Sequence, residues 1–282
     1  MKLLDLRSEI KKNEDAKSMG RDFYVLEMSK IDIEDHPFKI DMYICCICLN
    51  GESRGRINLK PYNIMASGIS INLPGQLLEH EFISDDFKGL CIFMSKEFVG
   101  SLGLPYDFQI NTLVQENPVL ALGQEQLAAM LSYYTMVGNV IEDQHPNQSE
   151  IIKHLTCAFF YGIGYYFYQV SRNKVLSNEE VLMQNFLREV RQNYKKERKV
   201  LYYADRMHFS PGYLSTIIKS FSGKTAAEWI DDYVILEAKA LLKSTNMTVQ
   251  QVSDELNFPS QSFFGKYFKR QTGVSPKEYK KN

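Results

Sequence analysis

At 282 residues the chain is long enough for two domains, and its net charge of −1 hides an asymmetry: residues 172–282 hold 19 Lys and Arg against 12 Asp and Glu, the rest 14 against 22. Clustered cations gain affinity by releasing the counterions condensed on phosphates, so this balance points to a polyanion partner for the C-terminal part alone. The charged opening, MKLLDLRSEIKKNEDA, excludes a secretory signal, and the five cysteines, odd in number, then read as reduced thiols of a cytoplasmic protein.

Residues 22–95 read as short β-strands between turns. DFYVLEMSKI, KIDMYICCICL, GRINLK, GISINL and KGLCIFMS are separated by His36-Pro37, Asn50-Gly51, Lys60-Pro61, Leu73-Pro74-Gly75 and Asp85-Asp86. This spacing predicts a β-barrel or sandwich within residues 1–115. From Asn117 the period changes to helical: Asn117 caps, Pro118 opens the helix, and Leu127, Met130, Leu131, Tyr134, Val137 and Ile141 trace one apolar face. A second helix, near residues 150–169, is apolar almost all round from Leu155 onward. With Phe159, Phe160, Tyr165, Tyr166 and Phe167 spread around it, part of its surface is expected to meet a second copy, which makes residues 116–170 a dimerisation element. The run 157–170 is the longest apolar stretch and falls short of the roughly 18 residues a bilayer demands, so no membrane partner is expected. Residues 171–177 read as a linker, and Ser177 with Glu180 is a capping box opening the next helix.

The segment 178–282 contains one unit written twice. Ala204, Met207 and Phe209 recur as Ser253, Leu256 and Phe258 at an offset of 49, while Leu214, Gly223, Thr225, Glu228 and Trp229 recur as Phe264, Gly273, Ser275, Glu278 and Tyr279 at an offset of 50. A small residue followed by apolar ones three and five positions later suits two helices crossing at a tight turn, and the second turn is one residue longer. Ser210 with Pro211, and Ser260, are N-caps for the second helix of each unit; Thr225 with Glu228 and Ser275 with Glu278 are capping boxes for the helices that follow. Between the units, residues 226–244 place Trp229, Tyr233, Leu236 and Ala240 on one helical face; such a helix spans roughly 28 Å, against ~34 Å between successive major grooves on one side of DNA.

These residues resemble the arabinose-operon-regulator (AraC/XylS) family of bacterial transcription factors, through LYYADRMHFSPGYLSTIIKSFSGKTAAEWI and VSDELNFPSQSFFGKYFKRQTGVSPKEY. The resemblance implies two helix-turn-helix subdomains joined by a long helix and binding double-stranded DNA. Base readout falls to Gly212, Ser215 and Thr216 in the first unit and to Gln261, Ser262 and Lys266 in the second. Family members usually carry larger polar or basic side chains at the first set, so the second unit is expected to read more bases: Gln pairs with adenine and Lys reaches guanine. Lys219, Lys224, Lys269 and Arg270 are candidate phosphate contacts, which position without specifying. Asn257 stands where the family commonly has glycine and tolerates the left-handed turn required there; Val234 replaces an arginine often seen in the linking helix.

Competing signals fail on context. SGKTA lacks the glycine of a phosphate loop, since Ile218 stands five positions before Gly223. GESRG fits a nucleophile elbow literally, but no helix follows Ser53, and a hairpin turn is the simpler reading. Cys45 and Cys48 on one strand face opposite sides and read as packing. The five histidines contain no H-x-H pair. No catalytic residue, metal or cofactor is therefore assigned.

The expected architecture is α+β: a cupin-like barrel with dimerisation helices, then an all-α double helix-turn-helix domain. The N-terminal resemblance rests on order and pattern, and implies a sensor whose barrel holds a small effector, unless Met42, Ile44, Cys46 and Phe93 simply fill it. The expected function is sequence-specific transcriptional regulation, by activation, as a homodimer that works with RNA polymerase. The alternative is a cupin-type β-barrel enzyme fused to a DNA-binding domain.

Overall fold

A computed structural model describes residues 10, 13, 15–29, 36–104, 114, 117–172 and 177–281, which divide into an N-terminal unit containing the strands and an all-helical C-terminal unit. The strands are β1 (Lys17–Met19), β2 (Phe23–Met28), β3 (Phe38–Lys39), β4 (Tyr43–Asn50), β5 (Glu52–Ile57), β6 (Lys60–Met65), β7 (Gly68–Asn72), β8 (Leu77–Ile83), β9 (Lys88–Met94) and β10 (Val119–Ala121). They form a six-stranded sheet in the order β1-β2-β9-β4-β7-β10 and a four-stranded sheet in the order β3-β8-β5-β6. Among the described residues both sheets are open, and their pairings do not close one barrel.

Among the described residues of this unit, helices α1 (Lys96–Ser101), α2 (Gln124–Glu142) and α3 (Gln148–Arg172) accompany the sheets. Period-two alternation assigns the faces of the larger sheet. Cys45, Ile47, Ile69, Ile71 and Ile92 pack into one core with Met130, Tyr133, Val137 and Ile141 of α2 and with Phe159, Phe160, Ile163 and Phe167 of α3. On the other face Cys48 joins Ile64, Ile83 and Phe87, with Cys46 and Tyr62 against them. Cys45 and Cys48 thus belong to opposite faces, as their spacing requires. The sulfurs that do meet are those of Cys46 and Cys91, opposite each other on β4 and β9 with Sγ atoms 2.8 Å apart.

Several expectations are corrected here. The β5–β6 turn is Asn58-Leu59, both with positive φ (50° and 68°), in a two-residue hairpin; Pro61 lies within β6, an edge strand where its missing N–H costs no ladder bond. GESRG is neither an elbow nor a hairpin turn: Gly51, with φ of 72°, makes the bend between β4 and β5, and Ser53 lies inside β5, opposite Ile64. β8 was hidden because Glu79, His80 and Glu81 interrupt its apolar pattern. Asn117 and Pro118 do not start a helix either. They lead into β10, the Pro118 carbonyl accepts from Ile71 N–H, and α2 begins only after Gly123. Most consequentially, Phe159, Phe160 and Phe167 are buried in their own unit's core, and among the described side chains of this helix pair the exposed large apolar ones are Met136, Tyr161 and Tyr165. The aromatic face of α3 is therefore core, because it has the sheet to pack on. Most of the expected linker, residues 173–176, lies outside the described residues.

The C-terminal unit consists of α4 (Asn178–Asn193), α5 (Val200–Arg206), α6 (Pro211–Ser222), α7 (Ala226–Ser244), α8 (Val249–Glu255), α9 (Gln261–Thr272) and α10 (Pro276–Lys281). Each boundary follows from a residue that satisfies orphan backbone groups. Ser177 with Glu180 and Thr225 with Glu228 make reciprocal capping boxes, and so do Thr248 with Gln251, which the sequence reading passed over. α7 is buried along Ile230, Tyr233, Val234, Leu236, Ala240 and Leu241 and forms the axis on which both halves pack.

Candidate nucleic-acid interface

The duplication extends to backbone geometry. After α5 and α8, His208 and Asn257 take left-handed φ values of 60° and 53°, and the N–H of Phe209 and of Phe258 returns to the carbonyl of Ala204 and of Ser253 at 2.9 Å in both cases. Asparagine at 257 does what glycine would do. Ala204 and Ser253 are fully buried, which lets the two helices of each unit cross closely. The connecting turns hold four residues, 207–210, and five, 256–260, so the extra residue is Pro259.

α6 and α9 are built alike. Ser210 and Ser260 accept from the N–H of Tyr213 and Phe263, and both helices end on a glycine, Gly223 or Gly273, with φ of 76° and 83°. Exposure runs position for position the same along the two helices: Leu214 and Ile218, like Phe264 and Phe268, point inward, and between them Thr216 and Lys266 are exposed while their neighbours are half-buried. Glu228 and Glu278 sit below the usual carboxylate range because each accepts a backbone hydrogen bond, from Thr225 and Ser275 respectively.

Of the residues expected to read bases, Gly212, Thr216, Gln261, Ser262 and Lys266 are exposed and Ser215 is half-buried. Thr216 donates its hydroxyl to the Gly212 carbonyl at 2.9 Å, which leaves mainly a methyl group to offer. Lys219, Lys224, Lys269 and Arg270 are exposed as well. Their surroundings differ: Lys224 pairs with Asp232 at 2.7 Å and lies over the Trp229 ring, and Arg270 is 3.9 Å from Asp231. Tyr213 and Phe263, 50% and 64% exposed at matching positions, were missed because each precedes a core residue in an apolar pair.

The N-terminal unit holds one polar chain. Ser53 Oγ lies 3.3 Å from the Tyr62 hydroxyl, which is 2.8 Å from His80 Nδ1. Burial lowers the His80 pKa to about 4 and pushes Tyr62 up to about 12. Asn72 Oδ1 is buried without a hydrogen-bond partner among the described residues. No group of three or more His, Cys, Asp or Glu among them is placed to hold a metal ion, and no helix is long and apolar enough to cross a membrane.

Two helix-turn-helix units on one connecting helix define a double helix-turn-helix domain. Residues 203–282 match the family model described as a helix-turn-helix domain. Over 77 residues the chain is 34% identical to the arabinose operon regulatory protein of Escherichia coli (strain K12), covering 27% of this chain and 26% of that protein. It is 35% identical over 77 residues to the HTH-type transcriptional regulator YobQ of Bacillus subtilis (strain 168), covering 27% and 32%. The chain thus spans about a third or less of the length of these curated relatives. Among solved structures, ToxT from Vibrio cholerae strain SCE256 aligns over 92% of this chain and 94% of that one, with 18% identity and a TM-score of 0.46. The C-terminal domain is of the AraC type.

Proposed function

We propose that the protein is a sequence-specific transcriptional regulator that binds double-stranded DNA through residues 178–282. The observation that carries this reading is the pair of recognition helices, α6 and α9, with matching exposure patterns on a basic unit. Gln261, Ser262 and Lys266 supply the main base contacts; Gly212, Ser215 and Thr216 supply fewer, since their side chains are short or bonded to backbone. Lys219, Lys269, Arg270 and Lys224 contact phosphates, Lys224 least, because Asp232 already neutralises it.

Residues 1–115 act as a cupin-like regulatory domain, 116–170 as the dimerisation element and 171–177 as the linker. The part-buried Ser53–Tyr62–His80 chain and the unpartnered Asn72 Oδ1 support a small polar effector in the N-terminal unit. Tyr161, Tyr165 and Met136, exposed on the α2–α3 pair, support a homodimer through that surface. Activation through RNA polymerase in the bacterial cytoplasm completes the reading. Mapping the DNA occupied by the chain in its host tests it: discrete promoter-proximal sites are expected, and occupancy without sequence preference contradicts it.

A further inference from the structure

The two reading units share one plan but differ in the charge they carry just before their first helix. Just before α5, the first unit carries Lys195 and Arg198; the equivalent positions before α8, at the offset of 49, are Ser244 and Met247, which are uncharged. Both cations reach across to the second unit. Arg198 donates from Nη2 to the Leu256 carbonyl and from Nη1 to the Asn257 carbonyl at 3.3 Å, and its guanidinium lies 3.9 Å over the Phe258 ring. It thereby grips the turn that sets the crossing of α8 and α9. Lys195 pairs with Glu237 of α7 at 3.1 Å and with Glu255 of α8 at 2.7 Å. Glu237 is fully buried and also accepts from the Tyr194 hydroxyl at 3.0 Å. Burial alone would pull the Lys195 ammonium down, but the two carboxylates outweigh it and hold its pKa above the ordinary value.

The grip is closed from the other side. Phe258 packs on Tyr267 of α9 with ring centroids 5.1 Å apart, and Asp231 of α7 accepts from Tyr267 at 2.6 Å and from Gln271 at 2.5 Å. Arg198 and the Lys195–Glu255 pair therefore tie the second half of the unit to the first without passing through α7, while Asp231 anchors α9 to α7 itself. An ion network built on one buried carboxylate, Glu237, is a poor source of net stability, since desolvation offsets its attraction, and its best-attested use is to fix one arrangement among several. The planar fork of arginine, which spans two carbonyls and stacks on a ring at once, suits that use; lysine cannot reproduce it.

We propose that Arg198 and Lys195 are positioning residues that lock the two recognition helices at one separation and angle, so that the protein accepts a single spacing between the two DNA segments it reads. The inference rests on the DNA-binding function proposed above. One base pair inserted between the two segments rotates one against the other by about a tenth of a turn, which a rigid reader cannot follow.

The test uses the full chain. Duplexes are selected from a randomised pool with the unaltered protein, the preferred site is rebuilt with one base pair added or removed between the two segments, and affinities are compared as ratios, which cancels the loss of a positive charge. The unaltered protein should lose about tenfold or more for either change, comparable to losing a base contact. Arg198→Ala should flatten that penalty to about threefold or less, Arg198→Lys should flatten it too, and Lys195→Met combined with Glu237→Gln should do so without leaving a lone buried charge. An Arg198→Ala protein with the unaltered spacing profile, or with affinity lowered equally at every spacing, overturns the proposal. Hydrogen exchange without DNA separates this outcome from failure of the DNA-binding reading. In Arg198→Ala the amides of Asn257 and Phe258 should exchange about tenfold faster, while those of His208 and Phe209, bonded alike in the first unit, stay unchanged. Unchanged exchange at 257 and 258 overturns the clamp whether or not DNA binds.

Discussion

Replacing His80 by Gln should remove a defined part of the acid sensitivity of the N-terminal unit. In the folded chain burial lowers the imidazole pKa to about 4, against 6.5 for the free side chain. The unfolded chain therefore takes up a proton near 6.5 that the folded chain refuses until about 4. Between those values the unfolded state holds more protons, so stability falls as pH falls. The contribution is complete above pH ~6.5, about 1.4 kcal/mol smaller at pH 5.5, and about 3 kcal/mol smaller once both states are protonated. The molecule offers a clean assay. All five cysteines lie between residues 45 and 157, whereas the single tryptophan, Trp229, lies in the other unit. Urea unfolding followed by a thiol reagent that reacts in acid thus reports the N-terminal unit, and Trp229 fluorescence reports the helical one. The unaltered protein should lose about 1.4 kcal/mol more than His80→Gln between pH 7.5 and 5.5 in the thiol signal, with no difference in the Trp229 signal. Equal losses in the two proteins, or an imidazole that titrates near 6.5 by NMR, would refute the burial argument.

Other expectations follow from the same geometry. Gln261→Ala or Lys266→Ala should cost about 1–3 kcal/mol at a selected site and relax preference at one or two base pairs, and Ser215→Ala or Thr216→Ala less; the larger loss at 215 or 216 in a binding selection would reverse the assignment. Phe264→Ala, at a fully buried ring, should destabilise the helical unit by about 3–5 kcal/mol in Trp229-monitored unfolding, whereas Phe263→Ala, one residue away and exposed, should change it by less than about 0.5 kcal/mol. Aspartate at both Tyr161 and Tyr165 should give a folded monomer by light scattering and circular dichroism, while aspartate at Phe160 and Phe167 should unfold the unit because both rings are core. A folded, dimeric Tyr161→Asp/Tyr165→Asp protein would place the interface elsewhere.

The helical half was legible because its signals are local. Caps at Ser177, Ser210, Thr225, Ser260 and Ser275 lie within three residues of the groups they satisfy, and an internal repeat checks each reading twice. The β half was less so. Its strands are short, and two of them, β6 and β8, carry proline or charge where alternation predicts apolar residues. The aromatic face of α3 misled for a different reason: a helix that is apolar all round can be covered by a partner or by a sheet of its own chain, and only the fold shows that Phe160 and Phe167 meet the sheet core. Long-range polar contacts left no pattern at all. The groups that Arg198 joins are 58 and 59 residues away, and His80 meets the hydroxyl of Tyr62, 18 positions earlier.

The central claim is that the basic helical unit reads duplex DNA. It is tested most directly by titrating the full chain against duplexes enriched from a randomised pool, over a range of salt concentrations. The account predicts enrichment of one bipartite site, bound with a log–log salt slope of about −0.9 per neutralised phosphate, hence roughly −3 to −4 for contacts by Lys219, Lys224, Lys269 and Arg270 in each subunit. A folded protein that enriches no sequence, or whose affinity for DNA does not change with salt, would contradict it.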